Sequence, residues 1–394
     1  MYSAWELAQQ LVGIDSSDPG AYEGEIEQAI KQLVEHRLAQ MPSELAACVD
    51  IEELEVLPGR CDLMVTVPGT TDEERLVYIC HMDTVTLGEG WSDDTPPLGA
   101  VVRDGRLYGR GACDMKGGLA CALSALFSLL DEVERKQALP RRGFSLICSV
   151  DEEDLMRGVE AAIEAGWVGS GEWVLDTEPT DGQVQVAHKG RTWFELTMEG
   201  VTAHASQPWQ GADAIAAMAE ALCSIRRAFA DLPAHGELGP STVTFGMISG
   251  GYQPYVVPDR CQVSIDMRLV PPTDTAAARR IVEEACAAAE SAVPGTHGTY
   301  VITGDRPAVE RDPDSPLLAA LLASTEACGA PAEVGFFTGY TDTAVIAGRC
   351  ANRNCMSYGP GSLARAHKPD EFVPRADIER VERVLTELTR RELW

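Results

Sequence analysis

The sequence predicts an α/β fold: a mixed, mainly parallel sheet flanked by helices, interrupted by an inserted two-layer α+β unit. Three observations carry this. Apolar, strand-like runs alternate with amphipathic helical stretches up to about residue 186. The pattern then becomes strand, helix, strand, strand, helix, strand, the order of a compact two-layer unit. From about residue 304 the first alternation resumes. The expected organisation is therefore residues 1–186, an insertion over 187–303, and 304–394 rejoining the first part. At 394 residues the chain exceeds what one hydrophobic core usually serves, which agrees with two domains.

The elements follow in order. Helices are expected over 4–12 and 22–39, the second after the turn signal Ser16-Ser17-Asp18-Pro19-Gly20. Strands are expected over 51–56, 63–67 and 76–81. A glycine-rich stretch over 105–111 leads to Asp114, and Gly117-Gly118 open a helix over 116–130. Apolar runs over 143–150 and 173–175 read as further strands. In the insertion, 191–199 alternates with the strand period through Trp193, Phe194, Leu196 and Met198. An Ala-rich helix is expected over 212–229, strands over 241–248 and 262–269, and a helix over 273–289 after Pro271-Pro272.

Composition excludes several function classes. A formal net charge of −29 opposes binding to nucleic acid or to an anionic membrane surface. There is no apolar run of about 18 residues, so no membrane span is expected. The segment Met1–Glu6 lacks the basic flank and apolar core of a secretory signal. Twelve cysteines are present and none forms a Cys-x-x-Cys pair. Cys80, Cys121, Cys148, Cys223 and Cys286 stand in apolar runs and read as small buried hydrophobes. Together these features predict a cytoplasmic protein in a reducing compartment.

The residues that carry chemistry lie where apolar runs end. His81 and Asp83, Asp114, and Glu152 with Glu153 are imidazole and hard-oxygen donors of the kind that hold divalent ions. Open α/β sheets place ligands at the carboxyl ends of their strands. His81 and Asp83 are two apart, so on a strand they face the same side and Asp83 can hold the second ring nitrogen of His81. Asp114 has two oxygens and can bridge two ions, or it can cap the helix at 116. Adjacent residues on an extended segment point oppositely. Of Glu152 and Glu153, one can then bind metal while the other faces an attacking water. A solvated acidic turn is the plainer reading of that pair. Asp176 and Glu178 close the run at 173–175, and either suits a ligand. His367, after a Pro-Gly loop, is uninformative alone.

In chain order, His81-Met82-Asp83-Thr84-Val85, Gly109 through Gly118, Asp151-Glu152-Glu153, Glu178-Pro179-Thr180, Ala203-His204-Ala205-Ser206 and Ala366 through Glu371 form an ordered set. The set resembles the di-zinc metallopeptidase and amidohydrolase family of acetylornithine deacetylase, succinyl-diaminopimelate desuccinylase and carboxypeptidase G. The resemblance runs from about residue 5 to 390. It implies a catalytic domain from 1–186 and 304–394, with 187–303 as a lid and dimerisation domain. It implies two zinc ions per chain, with cobalt or manganese able to substitute. Asp114 would bridge them, His81 and Glu178 would hold one, and Glu153 and His367 the other. Asp176 is the alternative to Glu178. Asp83 would orient His81, Glu152 would act as general base and acid, and the Asp114–Met115 peptide would be cis.

The resemblance extends to the substrate. His204 would reach the active site of a partner subunit and stabilise an oxyanion. Arg268 would meet a substrate carboxylate, and Gly359 and Gly361 would line the pocket. The implied activity is zinc-dependent hydrolysis of the amide bond of N-acyl amino acids or small peptides with a free carboxylate, as in acetylornithine deacetylase. A carboxypeptidase or dipeptidase of the same family is the alternative. A non-catalytic binding protein would need a lost ligand or base, and none is missing. A homodimer is implied, with no nucleic-acid or membrane partner. One departure bears on specificity: Tyr255 stands before Val256-Val257-Pro258, where relatives often carry Asn. Of the other histidines, His188 reads as a hinge or surface residue, and His36, His235 and His297 as exposed.

Overall fold

The computed structural model describes residues 3–337 and 339–394. The chain forms two compact units: 1–186 with 311–337 and 341–394, and 187–310 with 338–340. The first unit is built on an eight-stranded sheet. Its order is Val334–Phe337, Val184–His188, Cys355–Gly359, Trp173–Pro179, Leu76–His81, Phe144–Ser149, Arg60–Val67 and Asp50–Leu57. The four strands from Cys355–Gly359 to Phe144–Ser149 are parallel. Val184–His188 with Cys355–Gly359, Arg60–Val67 with Phe144–Ser149, and Asp50–Leu57 with Arg60–Val67 are antiparallel. Every residue of Leu76–His81 and of Phe144–Ser149 is buried. Strands covered on both faces carry continuous apolar runs rather than alternation, which is how these two appear in the sequence.

Register brings the chemistry to one edge. His81 lies beside Ser149, and Ile79 lies beside Asp176. The carboxyl ends of three neighbouring strands therefore open onto one place, with the turn after Ser149 and the end of Trp173–Pro179 beside His81.

Helix Lys116–Lys136 sets Asp114 there as well. Its start is pressed against the strand Trp173–Pro179. A Cβ on Gly118 would lie 2.1 Å from the Thr177 carbonyl oxygen, so only glycine permits the approach. The helix buries Leu119, Leu123, Leu126 and Leu130 in a core shared with Leu7 and Leu11 of Ala4–Val12 and Val381 and Leu385 of Arg375–Leu393. Each fully buried leucine contributes about 1.5–3 kcal/mol of hydrophobic stabilisation, so the helix is a firm base for the residues at its start. Ala4–Val12 begins in a capping box: Glu6 N–H donates to Ser3 Oγ at 3.3 Å and Ser3 N–H to Glu6 Oε2 at 3.0 Å.

The glycine-rich stretch is partly ordered as strand. Arg106–Tyr108 pairs with Val101–Arg103 on one side and Phe372–Pro374 on the other. That second pairing carries the His367–Glu371 segment to Asp114 from far along the chain.

The second unit is a four-stranded antiparallel sheet in the order Thr242–Gly250, Arg260–Leu269, Gly190–Glu199, His297–Arg306. Phe194, Leu196, Met198, Val263, Ile265 and Met267 are buried with residues of helices Ala214–Ala230 and Thr275–Ala292, giving the expected two layers. Both helices start two residues later than expected. Asp213 and Asp274 are their caps, with side chains accepting from Ile215, Ala216 and Ala277 N–H at 2.8–2.9 Å. The expected boundary at 303 falls inside the strand His297–Arg306. That strand must complete its ladder with Gly190–Glu199, so the chain returns to the first unit only at Arg311. Among the described residues no helix is long and apolar enough to cross a membrane.

Candidate dinuclear metal centre

His81 ends its strand fully buried, with Nε2 3.2 Å from Asp114 Oδ1 and 3.6 Å from Glu178 Oε1. The other oxygen of Asp114 faces the second histidine: Oδ2 lies 3.4 Å from His367 Nε2. His367 Nε2 in turn lies 3.0 Å from Glu153 Oε2. Asp114 thus stands between two donor sets, His81 with Glu178 and His367 with Glu153. Donors about 2.0–2.1 Å from a tetrahedral ion sit about 3.3 Å from one another, which matches these spacings. Two imidazoles and three carboxylates, one of them shared, fit two divalent ions of the zinc class.

Glu152 takes a different place. Its carboxylate joins His81 and Glu178 in a cluster whose ligand atoms lie within 4.8 Å of one another, while Glu153 joins His81 and Asp114 in a second such cluster. The two glutamates share a tight turn and not an extended segment. Asp151 has φ +65°, and Met156 N–H donates to its carbonyl at 2.6 Å.

Asp83 serves both sides. His81 Nδ1 is 3.0 Å from the Asp83 carbonyl and 3.6 Å from its Oδ1, so the backbone is the nearer acceptor. The carboxylate receives the N–H groups of Glu152 at 3.2 Å and Glu153 at 3.0 Å. The Asp114–Met115 peptide is cis.

The charges call for cations. Burial pushes the Glu152 and Glu178 carboxyls well up, with neighbouring carboxylates adding to the rise. Burial acts on Asp114 in the same sense, but bonds from His367 and His81 outweigh it and hold its carboxyl down. His367 is pushed up to about 10 by hydrogen bonds to Asp114 and Glu153. Burial alone would lower His81, yet its bonds to Asp114 and Asp83 prevail and raise it. Both imidazoles thus face a concentration of buried carboxylates.

The remaining expected residues divide. Asp176 is buried and turned to Thr343, whose Oγ1 donates to Oδ2 at 2.7 Å, and it lies outside the donor clusters. A register shift between Ser357 and Gly359 against Asp176 and Pro179 explains why Asp176 and Glu178, two apart, do not share an environment. Gly359 and Gly361 stand where the chain packs too closely for a Cβ. A Cβ would lie 2.0 Å from the Thr177 carbonyl oxygen at Gly359 and 2.6 Å from Cys113 Sγ at Gly361.

In the second unit, Arg268 commits its guanidinium to Asp266, at 2.8 and 3.0 Å. His204 is exposed, and its Nδ1 accepts from Ser206 N–H at 3.1 Å and Ser206 Oγ at 2.8 Å. A neutral His204 so held carries its proton on Nε2, where it can donate. Tyr255 is exposed beside it, with its carbonyl accepting from Ala205 N–H at 3.0 Å. His188 is buried with its ring edge-on to Tyr340, so it is no surface residue. His36 and His297 are exposed and His235 is half-buried, its Nδ1 accepting from Glu237 and Leu238 N–H.

Sequence reasoning missed Glu371. It is buried, and its Oε1 accepts from Cys113 N–H at 2.9 Å and Asp114 N–H at 3.1 Å, while Arg110 Nη1 donates to Oε2 at 2.6 Å. It fixes the backbone of the shared carboxylate. Its neighbour Asp370 ties the His367 loop to Ser92 and Thr95. Both stand in the segment that drew attention to His367, which was the available signal.

Comparison with known proteins places the chain in a family. The family model described as peptidase family M20/M25/M40 matches residues 77–391. The acetylornithine deacetylase of Proteus mirabilis (strain HI4320) is 26% identical over 390 residues, covering 97% of this chain and 95% of the relative. Among solved structures, the M20 family metallo-carboxypeptidase Sso-CP2 from Sulfolobus solfataricus superposes with TM-score 0.77 at 18% identity, over 99% of both chains. The Bacillus subtilis YXEP protein, a dinuclear metal binding peptidase from the M20 family, gives TM-score 0.73 at 15% identity, over 99% of this chain and 97% of that one. The chain belongs to peptidase family M20/M25/M40 and is a metal-dependent hydrolase acting on amide bonds.

Proposed function

We propose that this protein is a di-zinc amidohydrolase that removes the acyl group from an N-acyl amino acid with a free carboxylate. The observation that carries the reading is the placement of Asp114 between two imidazoles, with Glu152, Glu153 and Glu178 gathered around His81. The acetylornithine deacetylase relative, aligned over nearly the whole of both chains, supports the substrate class. His81, Glu178, Asp114, Glu153 and His367 would hold the two ions. Bound there, the ions supply Lewis acidity for a water and for the substrate carbonyl.

The protein's own groups do the rest. Glu152 takes the proton of the attacking water and returns it to the leaving amine nitrogen. A carboxyl raised by burial holds a proton well enough to deliver it. Asp83 keeps Nδ1 of His81 engaged, leaving Nε2 for the ion. His204, with Nδ1 occupied by Ser206, offers Nε2–H to the developing oxyanion.

We further propose a cytoplasmic homodimer in which each His204 serves the partner's site. Two features support this. The edge strand Thr242–Gly250 exposes Met247 and Ile248, an unpaired apolar edge that invites a second copy. All twelve cysteines are unpaired thiols, as a reducing compartment requires.

The test is a panel of N-acetyl and N-succinyl amino acids and dipeptides, given to zinc-loaded enzyme. Hydrolysis of acyl amino acids above dipeptides is expected. The reverse order would assign a carboxypeptidase or dipeptidase instead, and no hydrolysis of either class would sink the reading.

A further inference from the structure

The turn that carries Glu152 is held by an unusual run of bonds. Four consecutive amides each donate to a buried carboxylate. Val150 N–H reaches Asp62 Oδ1 at 2.9 Å and Asp151 N–H reaches Glu23 Oε1 at 3.0 Å. Glu152 and Glu153 N–H reach the two oxygens of Asp83 at 3.2 and 3.0 Å. The acceptors come from three parts of the first unit. Glu23 precedes helix Gly24–Leu38, Asp62 lies in strand Arg60–Val67, and Asp83 follows strand Leu76–His81.

Glu23 is itself locked. Arg60 donates Nε to its Oε2 at 2.6 Å and Nη2 to its Oε1 at 2.5 Å, and reaches Asp18 Oδ2 at 2.6 Å. Asp18, Glu23 and Asp83 present oxygens within 4.8 Å of one another, and the cation bonded to the first two is the Arg60 guanidinium. Gly158 lets the chain close behind the turn, since a Cβ there would lie 2.5 Å from the Val150 carbonyl oxygen and 2.7 Å from Asp62 Oδ1.

The turn needs such support. Asp151 has φ +65° without being glycine, a left-handed backbone that residues with a Cβ seldom adopt. Strained backbone at a working site persists only where its surroundings over-determine it. The Asp151 carboxylate is forked by Arg157 at 2.6 and 2.5 Å, and the charge-assisted bond from its N–H to Glu23 holds the backbone side of the same turn. The residue after Asp151 is Glu152. A misplacement of about 1 Å in a reacting group costs about 10²-fold in rate.

We propose that Glu23, locked by Arg60, is a positioning residue for the hydrolysis: by holding Asp151 N–H it fixes the turn that aims Glu152. The proposal rests on the reading of Glu152 as the proton-transfer group. Glu23 touches neither substrate nor ion in this scheme. It acts through the backbone of its neighbour's turn.

The test is a double-mutant cycle on zinc-loaded protein: wild type, E23Q, E152Q and E23Q/E152Q, each with kcat, KM and zinc content. The amide of E23Q offers one acceptor oxygen, so it cannot serve Asp151 N–H and both Arg60 bonds together. In the wild-type background, E23Q should lower kcat by about 10–100-fold, with KM and zinc content within about twofold. In the E152Q background the same substitution should change the residual kcat by less than about twofold, because the group being aimed is gone.

An equal loss in both backgrounds would mark general structural damage and overturn the proposal, as would unchanged kcat in E23Q alone. Wild-type kcat in E152Q would remove the reading of Glu152 and the proposal with it, so the two failures are distinguishable. Should E23Q fail to fold, R60K carries the same cycle. It keeps the cation and loses the fork, and should cost about 5–10-fold with Glu152 present and nothing in E152Q. Equal loss in both backgrounds would again overturn the proposal.

Discussion

Glu152 and Glu153 share a turn and a side-chain type, yet their surroundings differ. Glu153 lies 3.0 Å from His367 Nε2, while Glu152 sits with His81 and Glu178, buried and raised. E152Q should therefore keep both ions and lose about 10²–10⁴-fold in kcat, since the amide cannot take a proton. E153Q should instead lose metal. Metal analysis with turnover separates the two, and a drop in kcat below tenfold for E152Q would remove it from the role. Glu178 and Asp176 divide in the same way: E178Q should lower metal content, and D176N, whose partner is Thr343, should not. Much of this site was legible, because His81, Asp114 and Glu153 are donor types placed where apolar runs end. The choice between Asp176 and Glu178 was not, since a local shift of register leaves no mark in side-chain chemistry. Glu23 and Glu371 were equally invisible as single residues, because their value lies in backbone amides distant in sequence.

At the scale of elements, the helix Lys116–Lys136 shows how a small residue determines a large placement. Gly118 is where this helix meets the strand Trp173–Pro179, and the obstructing atom is a backbone oxygen at 2.1 Å from any Cβ. G118A should displace the helix start, with Asp114 beside it, at a cost of about 1–3 kcal/mol as overpacking. The measurement is thermal unfolding of metal-free and zinc-loaded protein. Both melting points should fall, and zinc should bind more weakly; an unchanged zinc affinity would show that Asp114 is set by Glu371 alone. Buried parallel strands and amphipathic helices were readable because burial on two faces or one writes directly into residue type. The strand Arg106–Tyr108 lay within what reads only as a glycine-rich stretch, because it is short and one of its two partners, Phe372–Pro374, lies far along the chain. The boundary near residue 303 failed for the same reason: where His297–Arg306 ends is decided by its ladder to Gly190–Glu199. Local pattern shows that a strand exists, whereas pairing decides its length.

At the scale of the whole molecule, the proposed metal loading and the proposed assembly each have a test. With the centre empty of ions, His367 is pushed up to about 10 by Asp114 and Glu153 and is imidazolium at neutral pH. An imidazole must lose that proton to bind an ion. Zinc uptake should therefore release protons at pH 7, and affinity should fall as pH falls, by about tenfold per pH unit for each proton displaced. Calorimetry in two buffers of different ionisation enthalpy reads the proton count, and pH-independent uptake between about pH 6 and 9 would contradict the assignment. Assembly is tested through His204, which belongs to the second unit while the ligands and Glu152 belong to the first. A lone H204A dimer should lose about 10²–10³-fold in kcat as an oxyanion donor is removed, with metal content unchanged. A lone E152Q dimer should be comparably inactive. If His204 serves the partner's site, subunit exchange between the two makes a hybrid with one intact site, Glu152 from the H204A chain and His204 from the E152Q chain. The other site in that hybrid lacks both groups. Activity should recover toward half of wild type per hybrid dimer, measured after hybrid formation is confirmed by mass. If His204 acts within its own chain, every site in the mixture lacks one group and nothing recovers. Hybrids that form and stay inactive would thus refute the shared site while leaving the metal centre and Glu152 untouched.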